Sequence, residues 1–413
     1  AADLCVKCGL CLPHCPTYME TREEGDSPRG RVSLISALAA GRLPLSAGLE
    51  RHLDGCLGCR ACEAACPSRV PYGALIDAGR SLIGTERPPS PLRRWLAGPA
   101  IKTLLSHPAA ARTAVRLGGL AQASGLAALA ARKNGARWPL LGRLQRYLMP
   151  PHPAPAHLRP HYPVAAARGR VALFAGCAGP ALDGQTVRDA VVLLNRLGYA
   201  VDVPRGQACC GALHQHAGDL AAAWGFARRN LAAFHDAIRR GWDAVLFLAS
   251  GCGATLKEYP QLPALPPERR EDAVQFAAVC QDINAFLAQR SWGGVTLRRG
   301  PGSIAVHDPC SMTRVLRSGP AVYDLLQRLP DSAVQALDGN RYCCGAAGSY
   351  MLTQPAMADR LLGYKVQAVR RRAPDVLLTT NVGCALHLRV GLFESGSEVP
   401  LMHPVSLLAR HLA

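Results

Sequence analysis

The sequence predicts a multidomain protein of mixed α+β and α/β class. Three observations support this: two matching cysteine-rich runs near the start, a following segment rich in Ala, Leu, Arg and Pro, and a strand-helix pattern that then occurs twice. We therefore expect a small helical domain over residues 1–80, a basic helical spacer with a Pro-rich linker over 81–169, and a tandem pair of α/β units over 170–295 and 296–413.

The two cysteine runs share the spacing C-x-x-C-x-x-C-x-x-x-C-P. This is the bacterial ferredoxin spacing, in which three thiolates hold one [4Fe-4S] cube and the fourth binds the other cube. Three cysteines two residues apart wind a short loop, whose backbone N–H groups can point at the sulfides. The inferred ligand sets are Cys5, Cys8, Cys11 and Cys66 for the first cube, and Cys56, Cys59, Cys62 and Cys15 for the second.

Zinc and disulfide bonds are the alternatives for these eight cysteines. Zinc takes four ligands in two separate pairs, whereas here two complete four-cysteine runs repeat with the same prolines. Between the runs, apolar residues at helical spacing predict a helix over 32–38, and a second short helix is expected at 49–53. Because the domain is small, metal binding should supply most of its folding free energy.

The spacer is strongly basic, with fourteen Lys or Arg residues and one acid, Glu86, between Ser81 and Arg170. Such a segment is suited to an acidic partner subunit or an anionic lipid surface, and the alternative is an Arg-rich solvated surface. Nucleic acid is not expected as a partner, since interleaved aromatics and known binding motifs are missing. Helices broken by Pro or Gly are predicted over 91–105, 109–129 and 138–148, with an extended linker over 150–163.

Cysteine usage and hydropathy bear on localisation. The cysteines form tight clusters separated by long cysteine-free intervals, which indicates a reducing compartment, most simply the cytoplasm. Charged and cysteine-rich sequence begins at once, so no signal peptide is expected. No unbroken apolar run reaches the length of a membrane-spanning helix. We therefore expect a cytoplasmic protein, or at most one bound peripherally on the inner face of the cytoplasmic membrane.

The two α/β units match in order and nearly in length. Thirty-one residues separate Cys177 from Cys209, and thirty-two separate Cys310 from Cys343. Apolar runs alternating with helical patterns indicate a parallel sheet in each unit. In the first unit, strands are predicted over 171–176, 200–203 and 244–249, with helices over 185–197 and 219–240. In the second, strands are predicted over 303–306, 333–337 and 376–380, with helices over 320–328 and 355–371.

Each unit places cysteines after its strands, where open α/β sheets bind ligands. Adjacent side chains on a strand point to opposite faces, so a Cys-Cys pair can face one cluster only if the backbone turns sharply. The following glycine, Gly211 or Gly345, permits that turn because it can take positive φ. Buried structural cysteines are the alternative. The predicted metal sites are Cys177, Cys209, Cys210 and Cys252 in the first unit, and Cys310, Cys343, Cys344 and Cys384 in the second.

The two units resemble the cysteine-rich domain of heterodisulfide reductase catalytic subunits. The whole chain is similar to the iron-sulfur subunits of bacterial glycolate oxidase and of its D-lactate and glycerol-3-phosphate dehydrogenase relatives. The motifs that carry this likeness are Cys-Pro-Thr-Tyr at 15–18, Pro-Arg-Gly-Arg at 28–31, Ala-Ser-Gly-Cys-Gly at 249–253 with Lys-Glu-Tyr at 257–259, and Cys-Cys-Gly at 343–345 with Ala-Gly at 347–348.

The chain departs from the heterodisulfide reductase pattern, which ends in C-x-x-C and supplies five thiolates for a noncubane cluster. Here Thr255 and His387 occupy the fifth positions. Four thiolates in the first unit suit an iron-sulfur cube or zinc, and iron-sulfur is preferred. In the second unit, where an iron-sulfur cluster is predicted, His387 is a candidate fifth ligand, the alternative being a satisfied surface or core residue.

No flavin or nicotinamide fingerprint and no catalytic triad or carboxylate pair is present, so no catalytic residue is predicted. The expected role is single-electron transfer. The resemblance implies an FAD-containing dehydrogenase subunit that oxidises a 2-hydroxy acid, with electrons passing onward toward quinone. One alternative is a thiol or heterodisulfide reductase, which the absence of the fifth cysteines disfavours. The other is a structural protein that metal ions stabilise. Cys280 is expected to be a core residue at the start of a helix over 279–287. His214, His216 and His307 are expected to pack on helices or loops, with hydrogen bonding to the cysteine turns as the alternative, and Asp308 is expected to be a cap or turn residue and not an acid catalyst.

Overall fold

The computed structural model describes residues 1–86, 113, 139–148 and 155–413. The predicted helix over 91–105 lies outside these residues, as does that over 109–129 apart from residue 113. The described part contains two sheets, one of five strands and one of four. The strands of the first sheet are β1 (His161–Tyr162), β2 (Gly169–Phe174), β3 (Tyr199–Asp202), β4 (Ala244–Phe247) and β5 (Cys280–Asp282). Those of the second are β6 (Ser303–His307), β7 (Ala333–Ala336), β8 (Val376–Thr379) and β9 (Leu401–Met402).

The N-terminal region is helical, as predicted. Its helices, with the one described helix of the spacer, are α1 (Pro16–Thr21), α2 (Pro28–Ala39), α3 (Ala47–Asp54), α4 (Ala61–Ala64), α5 (Tyr72–Glu86) and α6 (Pro139–Leu148). Helix α2 begins four residues earlier than predicted because the Ser27 side chain accepts a hydrogen bond from the N–H of Gly30, and Pro28 suits the first turn. Its apolar face packs on α3 and α5 around the fully buried Leu53.

Helices cover the sheets of the two α/β units. In the first unit they are α7 (Ala178–Leu182), α8 (Gly184–Arg196), α9 (Ala212–Gln215), α10 (Leu220–Ala233), α11 (His235–Arg239), α12 (Ser250–Glu258), α13 (Arg270–Val279) and α14 (Ile283–Ala288). In the second they are α15 (Gly319–Leu326), α16 (Tyr350–Thr353), α17 (Pro355–Arg372), α18 (Val382–Glu394) and α19 (Pro404–Arg410), preceded by a π-helical turn over Ser311–Leu316.

The predicted internal repeat is present in the strand order. In each unit the first long strand lies in the middle, and four strands run parallel in the same spatial order, β3-β2-β4-β5 and β7-β6-β8-β9. The pairing of the central strands also matches. Three residues before the first cysteine of each unit, Phe174 lies opposite Phe247 and His307 lies opposite Thr379. The carboxyl ends of β2, β3 and β4 in the first unit and of β6, β7 and β8 in the second each precede the predicted cysteine ligands.

The two units share one hydrophobic core. Val171 and Leu173 from the first unit belong to the same buried cluster as Ile304, Val306 and Val405 from the second. Hydrogen bonds join the units as well, since the N–H of Ser250 donates to the carbonyl of Thr380 over 2.9 Å. The boundary at 295/296 thus separates two repeats within one packed body, and the domain limits stay a prediction.

Three local expectations differ from the structure. The segment predicted as a linker contributes β1, an antiparallel edge strand whose His161 pairs with Asp202. Cys280 lies in β5 and not at a helix start, because Asp282 caps the following helix by accepting from the N–H of Asn284. The helix expected over 219–240 is interrupted at the fully buried Phe234, which leaves helical geometry.

None of the helices in the described part of the chain is long and apolar enough to cross a membrane.

Candidate metal centres

Seven of the eight N-terminal cysteines lie in loops or turns, and Cys62 lies in α4. Gly9 and Gly58 take positive φ within the two cysteine runs, at +87° and +60°. The N–H of Gly58 points at the sulfur of Cys56 over 3.4 Å, which is the kind of N–H···S contact expected around a bound cluster. The first run is nearer to solvent, since Cys8 is exposed whereas Cys56 is buried. The predicted ligand sets stay predictions.

A buried guanidinium lies beside the second ligand set. The Arg31 side chain is 1% exposed, and its Nη1 donates to the hydroxyl of Thr17 over 3.0 Å and approaches Cys15 Sγ at 3.9 Å. Its other nitrogens donate to the carbonyl of His52 over 2.6 Å and to the carboxylate of Asp26 over 3.2 Å. A fixed positive charge therefore adjoins a predicted cluster ligand. In the sequence, Arg31 stands out only as the last residue of the Pro-Arg-Gly-Arg motif.

Burial sets the protonation of the free thiols. It raises the pKa of Cys59 to about 12, although the nearby Arg314 guanidinium acts in the opposite direction. The pKa of Cys62 is raised well above its usual range by burial and by the neighbouring thiols of Cys59 and Cys56. These thiols are therefore protonated at neutral pH without metal. Cluster binding must release their protons, because thiolate is the form that binds iron.

The Cys-Cys-Gly turns have the predicted geometry. Gly211 and Gly345 have φ of +89° and +92°, and a Cβ on Gly345 would lie 2.6 Å from the carbonyl oxygen of Ala358. In each turn the glycine N–H points at the first cysteine sulfur, over 3.4 Å to Cys209 and 3.5 Å to Cys343. The need for glycine at these two positions is confirmed.

Side chains that the sequence did not single out as site residues hold the first turn. The Asn230 amide donates to the carbonyl of Cys209 over 2.9 Å and accepts from the N–H of Ala208 over 2.8 Å. The Tyr259 hydroxyl donates to the carbonyl of Cys210 over 2.9 Å. Both side chains are buried, so these hydrogen bonds to the backbone of the turn are shielded from water. In the sequence, Asn230 is one residue of the predicted helix over 219–240, and Tyr259 is the last residue of the Lys-Glu-Tyr motif.

The thiols of the second unit adjoin the N-terminal region. The Cys344 and Cys384 sulfur atoms lie 3.2 Å apart, and one hydrophobic cluster contains all four cysteines of this unit together with Leu57 and Cys59. The Arg314 guanidinium donates to the carbonyl of Cys59 over 2.9 Å. The second N-terminal ligand set and the second-unit thiols are therefore direct neighbours. The first-unit thiols lie in a different cluster, built from residues 172–280 and Leu316.

His387 does not face the cysteines. Its Nδ1 lies 2.7 Å from the Tyr147 hydroxyl and its Nε2 lies 3.2 Å from the carbonyl oxygen of Ala358, so both ring nitrogens have protein partners. Burial lowers the pKa of His387 to about 4, which keeps the ring neutral. The residue packs α6 against the second unit, and the expectation that it is the fifth ligand is not supported. Thr255, at the matching position, bonds back to the carbonyl of Gly251.

Two of the basic spacer residues pair within the chain. The guanidinium groups of Arg143 and Arg146 both contact Asp359 at 2.6 Å, and Arg146 also pairs with Glu394. These two cations are therefore neutralised by the second unit. Most other cations of the spacer lie outside the described residues.

Comparison with known proteins agrees with this layout. A family described as "4Fe-4S dicluster domain" matches residues 1–70, and a family described as "Cysteine-rich domain" matches residues 171–257 and again 304–389. A Bacillus subtilis (strain 168) protein named "Probable glycolate oxidase iron-sulfur subunit" is 34% identical over 98% of this chain and 92% of its own length.

The chain belongs to the family of glycolate oxidase iron-sulfur subunits.

A second member of this family, the glycolate oxidase iron-sulfur subunit of Escherichia coli (strain K12), is 33% identical over 93% of this chain and 89% of its own length. "Lactate utilization protein A" of Geobacillus thermodenitrificans is 27% identical over 58% of this chain and 98% of its own length. Clustered buried thiols are the donors that iron-sulfur clusters require, so the residues present fit the cofactor of the glycolate oxidase iron-sulfur subunits. The family resemblance stated from the motifs is confirmed.

Proposed function

We propose that this chain is the electron-transfer subunit of a flavin-dependent 2-hydroxyacid dehydrogenase of the glycolate oxidase type. In this proposal electrons come from an FAD-containing subunit and leave toward a quinone or another acceptor, with peripheral contact to the membrane. When bound, [4Fe-4S] clusters take up and release single electrons. The observation that carries the proposal is the packing of Cys59 against the second-unit thiols, which brings two predicted redox sites into contact.

The proposed metal ligands are the sixteen cysteines of the four sets. Cys5, Cys8, Cys11 and Cys66 would hold the first cube, and Cys56, Cys59, Cys62 and Cys15 the second. Cys310, Cys343, Cys344 and Cys384 would hold a further iron-sulfur cluster. Cys177, Cys209, Cys210 and Cys252 would hold another cluster or a zinc ion.

Iron and sulfide analysis tests the second-unit site. Anaerobically purified protein is expected to contain more iron and acid-labile sulfide than two cubes need, which is about eight of each per chain. Cys384→Ala is expected to lose about four iron atoms, because the cluster loses a ligand. Cys280→Ala is the matched control, since Cys280 is a buried cysteine of a β-strand outside every predicted ligand set.

Wild-type protein with no more iron and sulfide than two cubes would remove the second-unit cluster from the proposal. For the first unit, metal analysis of Cys252→Ala distinguishes the two possibilities. Loss of iron would indicate a cluster, and loss of zinc would indicate a zinc ion.

The entry point for electrons is proposed at the first cube. Its loop faces solvent, with Cys8 exposed and the apolar side chains of Leu4, Val6 and Leu10 at least half exposed around it. A flavoprotein that covers this patch would place its flavin near the first cube, and the second cube would then link to the second unit. The relatives are named as subunits of glycolate oxidase, which supports a flavoprotein partner.

Co-purification tests the partner. Tagged protein is expected to capture a yellow flavoprotein from its own cells, and the pair is expected to reduce a dye with glycolate or D-lactate. Val6→Asp is expected to weaken capture at least tenfold, because a charge at an apolar interface is costly. Leu43→Asp is the control, because Leu43 is an exposed apolar residue outside both cysteine runs. Cleavage of a heterodisulfide by the isolated chain with reduced viologen would instead favour a thiol reductase.

A further inference from the structure

We propose that His307 supplies an imidazole ligand to the iron-sulfur centre of the second unit. This inference rests on the proposed second-unit centre and adds a nitrogen donor to its four cysteines, which gives the five donors of a noncubane cluster and not the four of a cube.

The geometry brings His307 and the thiols together. A ring nitrogen of His307 and the sulfur atoms of Cys344 and Cys384 all lie within 4.8 Å of one another. All three side chains are buried, with His307 itself 1% exposed. Thiolate and imidazole are both ligands that iron-sulfur centres use in proteins. The three donor atoms are therefore close enough together to belong to one metal centre.

The hydrogen bonding of His307 leaves one nitrogen for iron. Its Nδ1 lies 3.0 Å from the Thr379 hydroxyl, and within the described residues this is the hydrogen bond that the ring makes. A metal-bound histidine usually has its other nitrogen held by a polar group, which fixes the ring orientation. Thr379 fills that positioning role, so Nε2 is the proposed ligand atom. The contrast with His387 is direct, because both nitrogens of that ring have protein partners.

The first unit provides an internal comparison. His307 lies three residues before Cys310 and opposite Thr379 in the sheet. The equivalent residue, Phe174, lies three residues before Cys177 and opposite Phe247. The second unit therefore has a buried polar pair where the first has two buried phenylalanines.

A buried polar pair costs stability relative to an apolar one unless its groups are satisfied. A cluster ligand would satisfy the remaining nitrogen. The same comparison predicts that the first-unit site has no imidazole ligand, so the centres of the two units would differ in their donor sets.

Pulsed electron paramagnetic resonance on the full chain tests the assignment. The second-unit signal is identified as the one that disappears in Cys384→Ala, with the redox poise chosen to make that centre paramagnetic. Wild-type protein grown with ¹⁵N-histidine is expected to show a ¹⁵N coupling in this signal. The coupling is expected to vanish in His307→Ala and to persist in His387→Ala.

Two results would overturn the assignment: no ¹⁵N coupling in the second-unit signal of labelled wild-type protein, or a coupling that His387→Ala removes while His307→Ala keeps it. If His307→Ala does not fold, His307→Cys replaces it, because a thiolate can keep the cluster while removing the nitrogen. Iron analysis of the wild-type protein reports separately on whether the second-unit centre exists. A missing centre is thereby distinguished from a centre without imidazole.

Discussion

Cys384→Ala is expected to abolish electron transfer from glycolate to a quinone analogue, lowering turnover at least about 100-fold. The reason is positional, because the second-unit thiols share a hydrophobic cluster with Leu57 and with Cys59, a proposed ligand of the second cube. Reduction of the flavoprotein by substrate should continue at its normal rate. The proposed N-terminal cubes should also become reduced, since they precede the missing second-unit centre in the proposed electron route.

The measurement is steady-state quinone reduction alongside rapid-mixing absorbance of the flavin and the clusters. Cys280→Ala serves again as the control and should retain turnover. Normal turnover in a Cys384→Ala protein that lacks the second-unit iron would exclude this unit from the route.

Arg31→Met is expected to lower the reduction potential of the second cube by an amount on the order of 100 mV. Reduction adds negative charge, and the buried guanidinium near Cys15 Sγ favours that charge. The same change should destabilise the N-terminal region by about 3 kcal/mol, because the carboxylate of Asp26 loses a buried cationic partner.

Potentiometric titration followed by paramagnetic resonance measures the shift, and denaturant unfolding measures the stability. Arg31→Lys should keep most of the potential, since it keeps the charge, but it should lose stability because a lysine cannot make the same forked contacts. Arg51→Met is the solvent-exposed control, for which little change in potential is expected. An unchanged potential in a folded Arg31→Met protein would contradict the assigned role.

The features that could be predicted from the sequence are those in which spacing alone dictates geometry. The two cysteine runs, the repeat of strands and cysteines, and the glycines after each Cys-Cys pair all follow from local rules, and Gly211 and Gly345 indeed have positive φ. Most predicted strands agree with the structure to within two residues.

Contacts between distant segments could not be predicted in this way. His387 has the sequence position of a missing ligand, but Tyr147 from α6, 240 residues earlier, bonds to it. His307 reads as an ordinary strand residue until the pairing of β6 with β8 places Thr379 beside it. Arg31 looks like one more surface cation, yet packing of α2 against α3 buries it completely. In each case the contact that determines the role of the residue comes from another helix or strand, and the hydrophobic pattern of the sequence does not predict such contacts.

The common interior of the two repeats has a consequence for how the molecule is assembled. Since strands from both halves cover the same apolar layer, neither half encloses a complete interior alone. A single repeat would leave that layer in contact with water. We therefore expect the two repeats to unfold together, with the N-terminal region joined to them by the ion pairs of Arg60 with Glu258 and of Asp77 with His216 and by the apolar contacts of Leu57.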